Sequence, residues 1–475
     1  MLLQETTLPR PSVDLPVSVD REAGTALAVQ LGDSLRDAMR GGALTSGERL
    51  PSTRALARQL AVSRTVVTEA YQQLYAEGWV EGRHGSGTYV AEMTFPAVEE
   101  RGLRAPVPVP VEGGEGGGWN GYRSESGQGV IDLRPGRPWV HDYDRAAWRR
   151  AWRRAADLPP VSDPDPRGLP RLRAALAEHL RRTRAIPVGP ENVMVTRGTG
   201  NGLGLVAATL LRPGDRAGVE EPGYRVARNV FAGRGAEIVP CPVDEDGVVV
   251  DGLPGDLRVL HTTPAHQYPL GGRLPIPRRE RLLAWARRTG AIVVEDDYDA
   301  EFRYDVAPLP ALYGLDPASV VLLGSLSKIL TPDIGVGWLV ARQSLVEAFA
   351  VTRDALADRT SGPAQQAVAV LLEKGDLDRH LRRTRLEYAR RRAVVVEILG
   401  SRVTGDTAGL HVMVELPEHT VAPLVEAARA RGVLLDSMAR HYHGPRLRHG
   451  LVIGYGSASR ADVRRGVSVV AELIG

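Results

Sequence analysis

Two short stretches hold the residue types from which a covalent carbonyl site is built. Glu295-Asp296-Asp297-Tyr298-Asp299 gathers acids and a phenol directly after the apolar, β-branched run Ala291-Ile-Val-Val294. Gly324-Ser325-Leu326-Ser327-Lys328 follows a second apolar run, Val320-Val-Leu-Leu323. A lysine amine condenses with an aldehyde to a Schiff base, hydroxyls hold an anionic group, and a carboxylate pairs with a protonated ring nitrogen. Together these functions suit pyridoxal 5'-phosphate (PLP), with Lys328 as the Schiff-base lysine. A lone S-x-S-K reads better as a surface lysine after a strand; the two stretches together reverse that balance. Apolar runs of this length suit buried parallel strands, and open α/β sheets bind ligands beyond the carboxyl ends of such strands. Both stretches are therefore expected to face one crevice.

The flanking elements fit that picture. Asn192–Thr196 reads as a strand that ends in Arg197-Gly-Thr-Gly-Asn-Gly202, with a helix expected over Leu203–Leu211. Such a turn presents free N–H groups and a positive dipole end to a phosphate, although glycine-rich turns are common. Ala217–Glu220 leads to Glu221-Pro-Gly-Tyr224, which can lay an aromatic face on a flat ring or simply pack. Val259-Leu-His-Thr-Thr-Pro-Ala-His-Gln-Tyr-Pro-Leu-Gly271 is a further strand ending in a polar loop. The alternation of apolar runs with helical patterns predicts an α/β domain, a mainly parallel sheet covered by helices, from 131 to 475. The basic stretch E-K-G-D-L-D-R-H-L-R-R-T-R-L-E-Y-A-R-R-R reads as a solvated helix face, or beside DNA as a phosphate holder.

The first 20 residues are proline-punctuated. From Arg21 the pattern turns helical, with Leu27, Leu31, Leu35 and Met39 on one face, ending at Gly41-Gly42. Ser52 can cap a short helix reaching Leu60, and a turn at Ala61-Val62 precedes a second helix, capped by Ser63 and running to Glu77. On that helix Val66, Ala70 and Leu74 are expected inside, and Arg64, Thr65 and Thr68 outside. Short hydroxyls and a guanidinium on the outer N-terminal face suit entry into a DNA major groove. W-V-E-G-R-H-G-S-G-T-Y-V then reads as two strands joined by a turn containing Gly85 and Gly87, with Arg83 and His84 at its tip. Residues 92–130, including A-P-V-P-V-P-V-E-G-G-E-G-G-G, lose periodicity and read as a tether.

Bulk composition sets wider bounds. At 475 residues, 43% hydrophobic and 25% charged, the chain suits a soluble protein of two or three domains. A net charge of +3 does not by itself indicate nucleic acid. The single cysteine, Cys241, excludes an internal disulfide and suits a reducing, cytoplasmic compartment. No apolar run has membrane-spanning length, no signal-peptide pattern opens the chain, and no metal-ligand spacing is singled out.

The stretch 21–91 resembles the GntR-type winged helix-turn-helix at L-P-S-T-R, V-S-R-T-V and H-G-S-G-T-Y-V. That resemblance implies DNA-facing roles for Arg54, Ser63, Arg64, Thr65, Thr68, His84 and Gly85. The remainder resembles fold-type I PLP aminotransferases. The whole is similar to MocR (GabR/PdxR-like) transcription regulators through E-E-P-G-Y, H-Q-Y-P, E-D-D-Y-D-A-E-F-R-Y, S-x-S-K and R-H-L-R-R-T-R. The likeness implies that Asp296 pairs with the pyridine nitrogen, Tyr298 touches the ring hydroxyl and Tyr224 stacks. Gly198, Thr199, Ser325 and Ser327 would hold phosphate, and the chain would form a head-to-tail homodimer.

The family pattern fails at four positions. Its phosphate-gripping arginine falls at Gly335, its phosphate-loop glutamine at Gly200, its partner-lent tyrosine at Asp163 and its carboxylate-binding arginine at Val452. Arg197, Arg225 and Arg303 are possible substitutes at the phosphate, and Arg446 and Arg448 at the carboxylate. A charged hydrogen bond contributes about 1.5–3 kcal/mol, so losing one weakens PLP about ten- to a hundredfold. The expected function is a regulator that binds operator DNA and senses PLP or a PLP-linked ligand. A working aminotransferase with an added DNA unit, and a regulator that has lost PLP, are the alternatives.

Overall fold

The computed structural model describes residues 17–21, 23–83, 87–92, 129–305 and 310–475. His84, Gly85 and nearly all of the expected tether lie outside the described residues. The chain divides into two compact units, Met1–Val98 with Pro275–Arg281, and Glu99–Leu274 with Leu282–Gly475.

The first unit has three helices and a hairpin. Helix α1 spans Leu27–Arg40, starting later than Arg21 because Ala26 is extended (φ −57°, ψ 135°). Helix α2 (Thr53–Gln59) is capped by the Ser52 hydroxyl, which accepts the Ala55 N–H at 3.2 Å. Ala61, at φ +53°, makes the tight turn. Helix α3 (Arg64–Glu77) is capped by Ser63, whose hydroxyl accepts the Val66 N–H at 3.3 Å, and Gly78 ends it at φ +80°. The buried stripe of α3 is Val67, Ala70, Tyr71 and Leu74, not the expected Val66, Ala70 and Leu74. At 100° per residue those four stay within one narrow arc, and Val66 falls on its edge, half-buried. Strands β1 (Val80–Arg83) and β2 (Gly87–Val90) pair antiparallel from Val80↔Val90 to Arg83↔Gly87, so Gly87 is a strand residue rather than part of the turn. Leu31, Leu35, Leu56, Val67, Leu74 and Trp79 are fully buried, each stabilising the unit by about 1.5–3 kcal/mol.

In the second unit, β3 (Ile131–Asp132) and helices α4 (Arg145–Ala156) and α5 (Pro170–Arg184) precede the main sheet. Strand β4 (Val193–Thr196) leads into helix α6 (Thr199–Leu210). The strands that follow are β5 (Arg216–Glu221), β6 (Glu237–Asp244), β7 (Gly247–Val248), β8 (Leu257–Thr262), β9 (Ile292–Asp297), β10 (Val320–Ser325) and β11 (Gly337–Val340). They form one eight-stranded sheet in the order β4-β11-β10-β9-β8-β5-β6-β7. Neighbours from β10 to β6 run parallel, whereas β11 is antiparallel to both β10 and β4. Successive residues face opposite layers: Val293 and Leu322 join one buried cluster, Val294 and Leu323 the other. A smaller sheet follows, built from 403–404, 411–415, 450–454 and 436–437. The fold is α/β, mainly parallel, as the alternation predicted.

Candidate functional site

The strand pleat decides which acid of Glu295-Asp296-Asp297 faces the pocket. Glu295 and Asp297 share one face. Glu295 accepts the N–H groups of Leu312 and Tyr313 at 2.9 and 3.0 Å, and Asp297 is ion-paired with the buried Arg184 at 2.5 Å. Asp296 points the other way and is 3% exposed. Its carboxylate has two long contacts, His261 Nε2 and the Thr199 hydroxyl, each at 3.4 Å. A buried carboxylate so weakly engaged retains capacity for a stronger partner.

At the adjacent strand end, Ser325 and Ser327 hydroxyls bond each other at 2.9 Å, and Ser325 also accepts the Ser327 N–H at 3.1 Å. Gly198 closes on them: a Cβ there would lie 3.3 Å from the Ser325 oxygen and 3.6 Å from that of Ser327. Its φ of +105° calls for glycine. Helix α6 begins at Thr199, not at Leu203, so Thr199–Gly202 is the first helical turn, and the N–H groups of Thr199, Gly200 and Asn201 lie ahead of the first intrahelical bond, from Gly202 N–H to the Gly198 carbonyl at 3.1 Å. Lys328 is half-buried and donates to the Gly136 carbonyl. Burial pushes its amine below the ordinary 10.5, while Asp296 and then Asp299 pull it back up.

Tyr224 stands 6.2 Å from His261, ring centre to ring centre, at 28°. The Tyr298 hydroxyl donates to the His266 carbonyl at 3.0 Å and lies 3.0 Å from His266 Nδ1. Tyr268 meets Tyr224, Tyr298, His411 and His441 edge-on at 5.0–6.1 Å. His261, His266, Tyr268 and His411 were not singled out from sequence. His266 and Tyr268 were legible only as part of H-Q-Y-P, while His261 lies within β8 and His411 opens a strand, positions too common for a histidine to act on alone. Burial also pushes the Cys241 thiol up to about 12, leaving it inert at neutral pH.

The four departures take definite forms. Gly335 is left-handed, at φ +54°, with open space where a side chain would begin. Val452 is fully buried in a cluster with Leu270, Met413, Met438 and Tyr442. Gly200 lies in the first turn of α6, and Asp163 is exposed. Of the substitute arginines, Arg197 is paired with Asp358, Arg448 with Glu415, and Arg303 with Asp406 at 2.8 Å. Arg446 is exposed, and Arg225 is half-buried directly after Tyr224.

In the first unit, Arg54, Arg64 and Thr65 are exposed on α2 and α3. Arg64 Nε donates to Thr53 Oγ1 at 3.2 Å, and the Thr68 hydroxyl donates to the Arg64 carbonyl at 2.9 Å. Ser63 is the helix cap. Arg49, absent from the sequence reading, bridges to Tyr89 on β2, and a Cβ at Gly87 would fall 2.8 Å from its Nε. Its guanidinium therefore lies against Gly87, at the turn end of β2.

Comparison with known proteins agrees with both halves. Residues 27–90 match the gntR family of bacterial regulatory proteins, and residues 146–449 match aminotransferase class I and II. The chain is 35% identical over 471 residues to the HTH-type pyridoxine biosynthesis transcriptional regulator PdxR of Corynebacterium glutamicum, covering 97% of this chain and 99% of that one. It is 33% identical to the probable rhizopine catabolism regulatory protein MocR of Rhizobium meliloti, over 95% of this chain and 94% of that one. Among solved structures, it is 26% identical to the α-aminoadipate aminotransferase LysN of Thermus thermophilus, with a TM-score of 0.66 over 73% of this chain and 92% of that chain. That enzyme was solved with N-(5'-phosphopyridoxyl)-L-leucine.

Fold and site together define a DNA-binding transcription regulator carrying an aminotransferase-like domain. The chain belongs to the MocR branch of the GntR family.

Proposed function

We propose that the large unit holds PLP on Lys328 and that occupancy is read out as a change in affinity for operator DNA. The observation that carries this reading is the pair of adjacent parallel strand ends: Lys328, three residues beyond β10, and the buried, weakly engaged carboxylate of Asp296 on β9. The fit is specific at the ring end. Asp296 would face the pyridine nitrogen, Tyr224 the ring face and Tyr298 the ring hydroxyl. Gly198, Thr199, Ser325 and Ser327 would take the phosphate. Bound there, the cofactor supplies an aldehyde that an unprotonated amine captures reversibly. The chain's own residues do the rest: burial favours the neutral form of the Lys328 amine, and the charge of Asp296 opposes that shift.

Arg54, Ser63, Arg64, Thr65 and Thr68, together with His84 and Gly85, are read as the DNA-facing set. The domains are read as 21–91 for DNA, 92–130 as tether and 131–475 for effector binding and homodimer formation, in the cytoplasm. No described helix is long and apolar enough to cross a membrane. Turnover of an amino acid is disfavoured because an apolar cluster surrounds Val452 where a carboxylate would need a guanidinium. The same departures, with Gly335, favour a second reading in which PLP is no longer bound.

Titrating the full chain with PLP distinguishes these readings. The expected result is a visible band that saturates and is absent in Lys328→Ala, with operator affinity altered about five- to 150-fold by PLP in wild type alone. A wild-type spectrum unchanged by PLP would overturn the proposal in favour of the second reading.

A further inference from the structure

Behind Tyr298, three distant segments bring metal-binding atoms to one point. His266 comes from the loop after β8, Asp299 from just beyond β9, and His411 from the small sheet. All three are buried, and one donor atom from each lies within 4.8 Å of the others. His266 Nδ1 is 2.9 Å from Asp299 Oδ2, and the Tyr298 oxygen, 3.0 Å from the same nitrogen, borders this space.

We propose that His266, Asp299 and His411 form a binding site for a zinc-type divalent cation. Two imidazoles and a carboxylate are ordinary ligands for such an ion, with a fourth position left to the Tyr298 oxygen or water. A point among atoms so spaced comes within the about 2.0–2.2 Å of zinc–ligand bonds after side-chain shifts of under about 1 Å.

Three further observations point the same way. Asp299 is 1% exposed, and its side-chain partner among the described residues is an imidazole rather than a guanidinium. Lys328 feels its charge but donates to Gly136 instead. A buried carboxylate without a bonded cation is costly, and a dication offsets that cost. Second, His411 Nε2 donates to the Pro269 carbonyl at 3.2 Å. That bond fixes the proton on Nε2 and leaves Nδ1 with its lone pair, the usual outer support of a metal-bound histidine.

Third, the chain closes over the cluster at Gly409, φ +74°. A Cβ there would lie 2.1 Å from His266 Cε1 and 2.7 Å from Asp299 Oδ2, so only glycine lets the backbone pass. Its carbonyl accepts the hydroxyls of Tyr304 and Tyr455 at 2.6 and 2.5 Å, which pins that cover in place. An ion held here would fasten the small sheet to the ends of the main one.

The test uses the full chain, freed of PLP and treated with chelator, so it stands whether or not PLP binds. Cobalt(II) is titrated in while its visible ligand-field bands are recorded, and zinc is then added as competitor. One ion per chain, displaced by zinc, is expected. Asp299→Asn and His411→Gln should each weaken binding by at least about a hundredfold while far-ultraviolet dichroism is unchanged. No uptake by the wild type, or wild-type affinity in both variants, would mean that the trio is a hydrogen-bonded network and nothing more. Should neither variant fold, zinc-dependent thermal stability of the wild type decides: a rise in Tm supports the site, and no rise overturns it.

Discussion

In the N-terminal unit the residues with chemistry stand outside a finished core, whereas in the large unit they stand at the buried ends of strands. Arg54, Arg64 and Thr65 are exposed, and the folding of α2 and α3 depends on Ser52, Ser63 and the stripe beneath them. Asp296, Asp299, His261 and His411 are buried, so each must find a partner or impose a cost. An exposed recognition residue can therefore change with little effect on folding. A buried one changes the pocket's charge balance. That is why the departures at Gly335 and Val452 carry more meaning than an equal number of changes on the exposed face of α3 would.

The harshest way to break this comparison is to remove the core of one unit and ask about the other. Leu74 is fully buried on α3, and Leu74→Ala should destabilise the first unit by about 2–5 kcal/mol. Duplex binding should be lost near the lowered melting transition. PLP binding by the large unit should persist, as followed by the visible band alongside thermal dichroism. A single shared transition that abolishes both activities would show that the units do not fold separately.

A gentler change leaves the fold alone. Arg64 is exposed, with one 3.2 Å bond to Thr53. Arg64→Ala should weaken operator binding by about 1–3 kcal/mol, roughly ten- to a hundredfold, without shifting Tm. If the loss is uniform across sequences and the salt slope falls, Arg64 grips phosphate. If specificity relaxes at one base pair, it reads a base. Unchanged affinity would remove Arg64 from the interface.

Gly335→Arg probes the large unit's missing cation. A restored charged hydrogen bond to phosphate contributes about 1.5–3 kcal/mol, and a side chain in the left-handed region costs about 1–2 kcal/mol. A Cβ at Gly335 would meet no atom within 4 Å, so the start of the side chain adds no clash to that cost. Because that strain is shared by free and bound protein, it lowers stability and not affinity, and PLP should bind about ten- to a hundredfold tighter, measured by titration against pyridoxal, which lacks the phosphate. Equal tightening for both ligands would place the new guanidinium elsewhere.

Local chemistry made much of this legible. The serine caps, the glycine stops and the β-branched runs act within a few residues, so α2, α3, β9 and β10 could be placed from sequence alone. One slip was local: on α3 Ala70 and Leu74 were placed inside correctly, but Val66 was taken for Val67, which at 100° per residue is the valine lying over them. The start of α6 was missed because four residues of glycine-rich sequence read as a turn, yet they form the first turn of the helix. What else escaped depends on contacts between distant segments. His266 and His411 are 145 positions apart in the chain and meet through the fold of the second sheet. No spacing rule spans that distance.

The smallest expected effect concerns the amine itself. Burial depresses the Lys328 pKa below 10.5, and Asp296 and Asp299 oppose that depression. In PLP-free protein, acetic anhydride should therefore label Lys328 with a pH profile whose midpoint lies below 10.5, read by mass spectrometry. Asp296→Asn removes a negative charge that favours the ammonium, so the midpoint should move lower still. The sign for stability follows from proton counting. Between the depressed folded value and 10.5 the unfolded chain holds more protons, so stability rises with pH across that window. Below it, the buried ammonium opposes folding in full; above 10.5 its effect is gone. Lys328→Met should accordingly flatten the rise. A midpoint at or above 10.5 would mean that the amine is solvated, and the large unit would lose the one feature that sets its buried site apart from the exposed one.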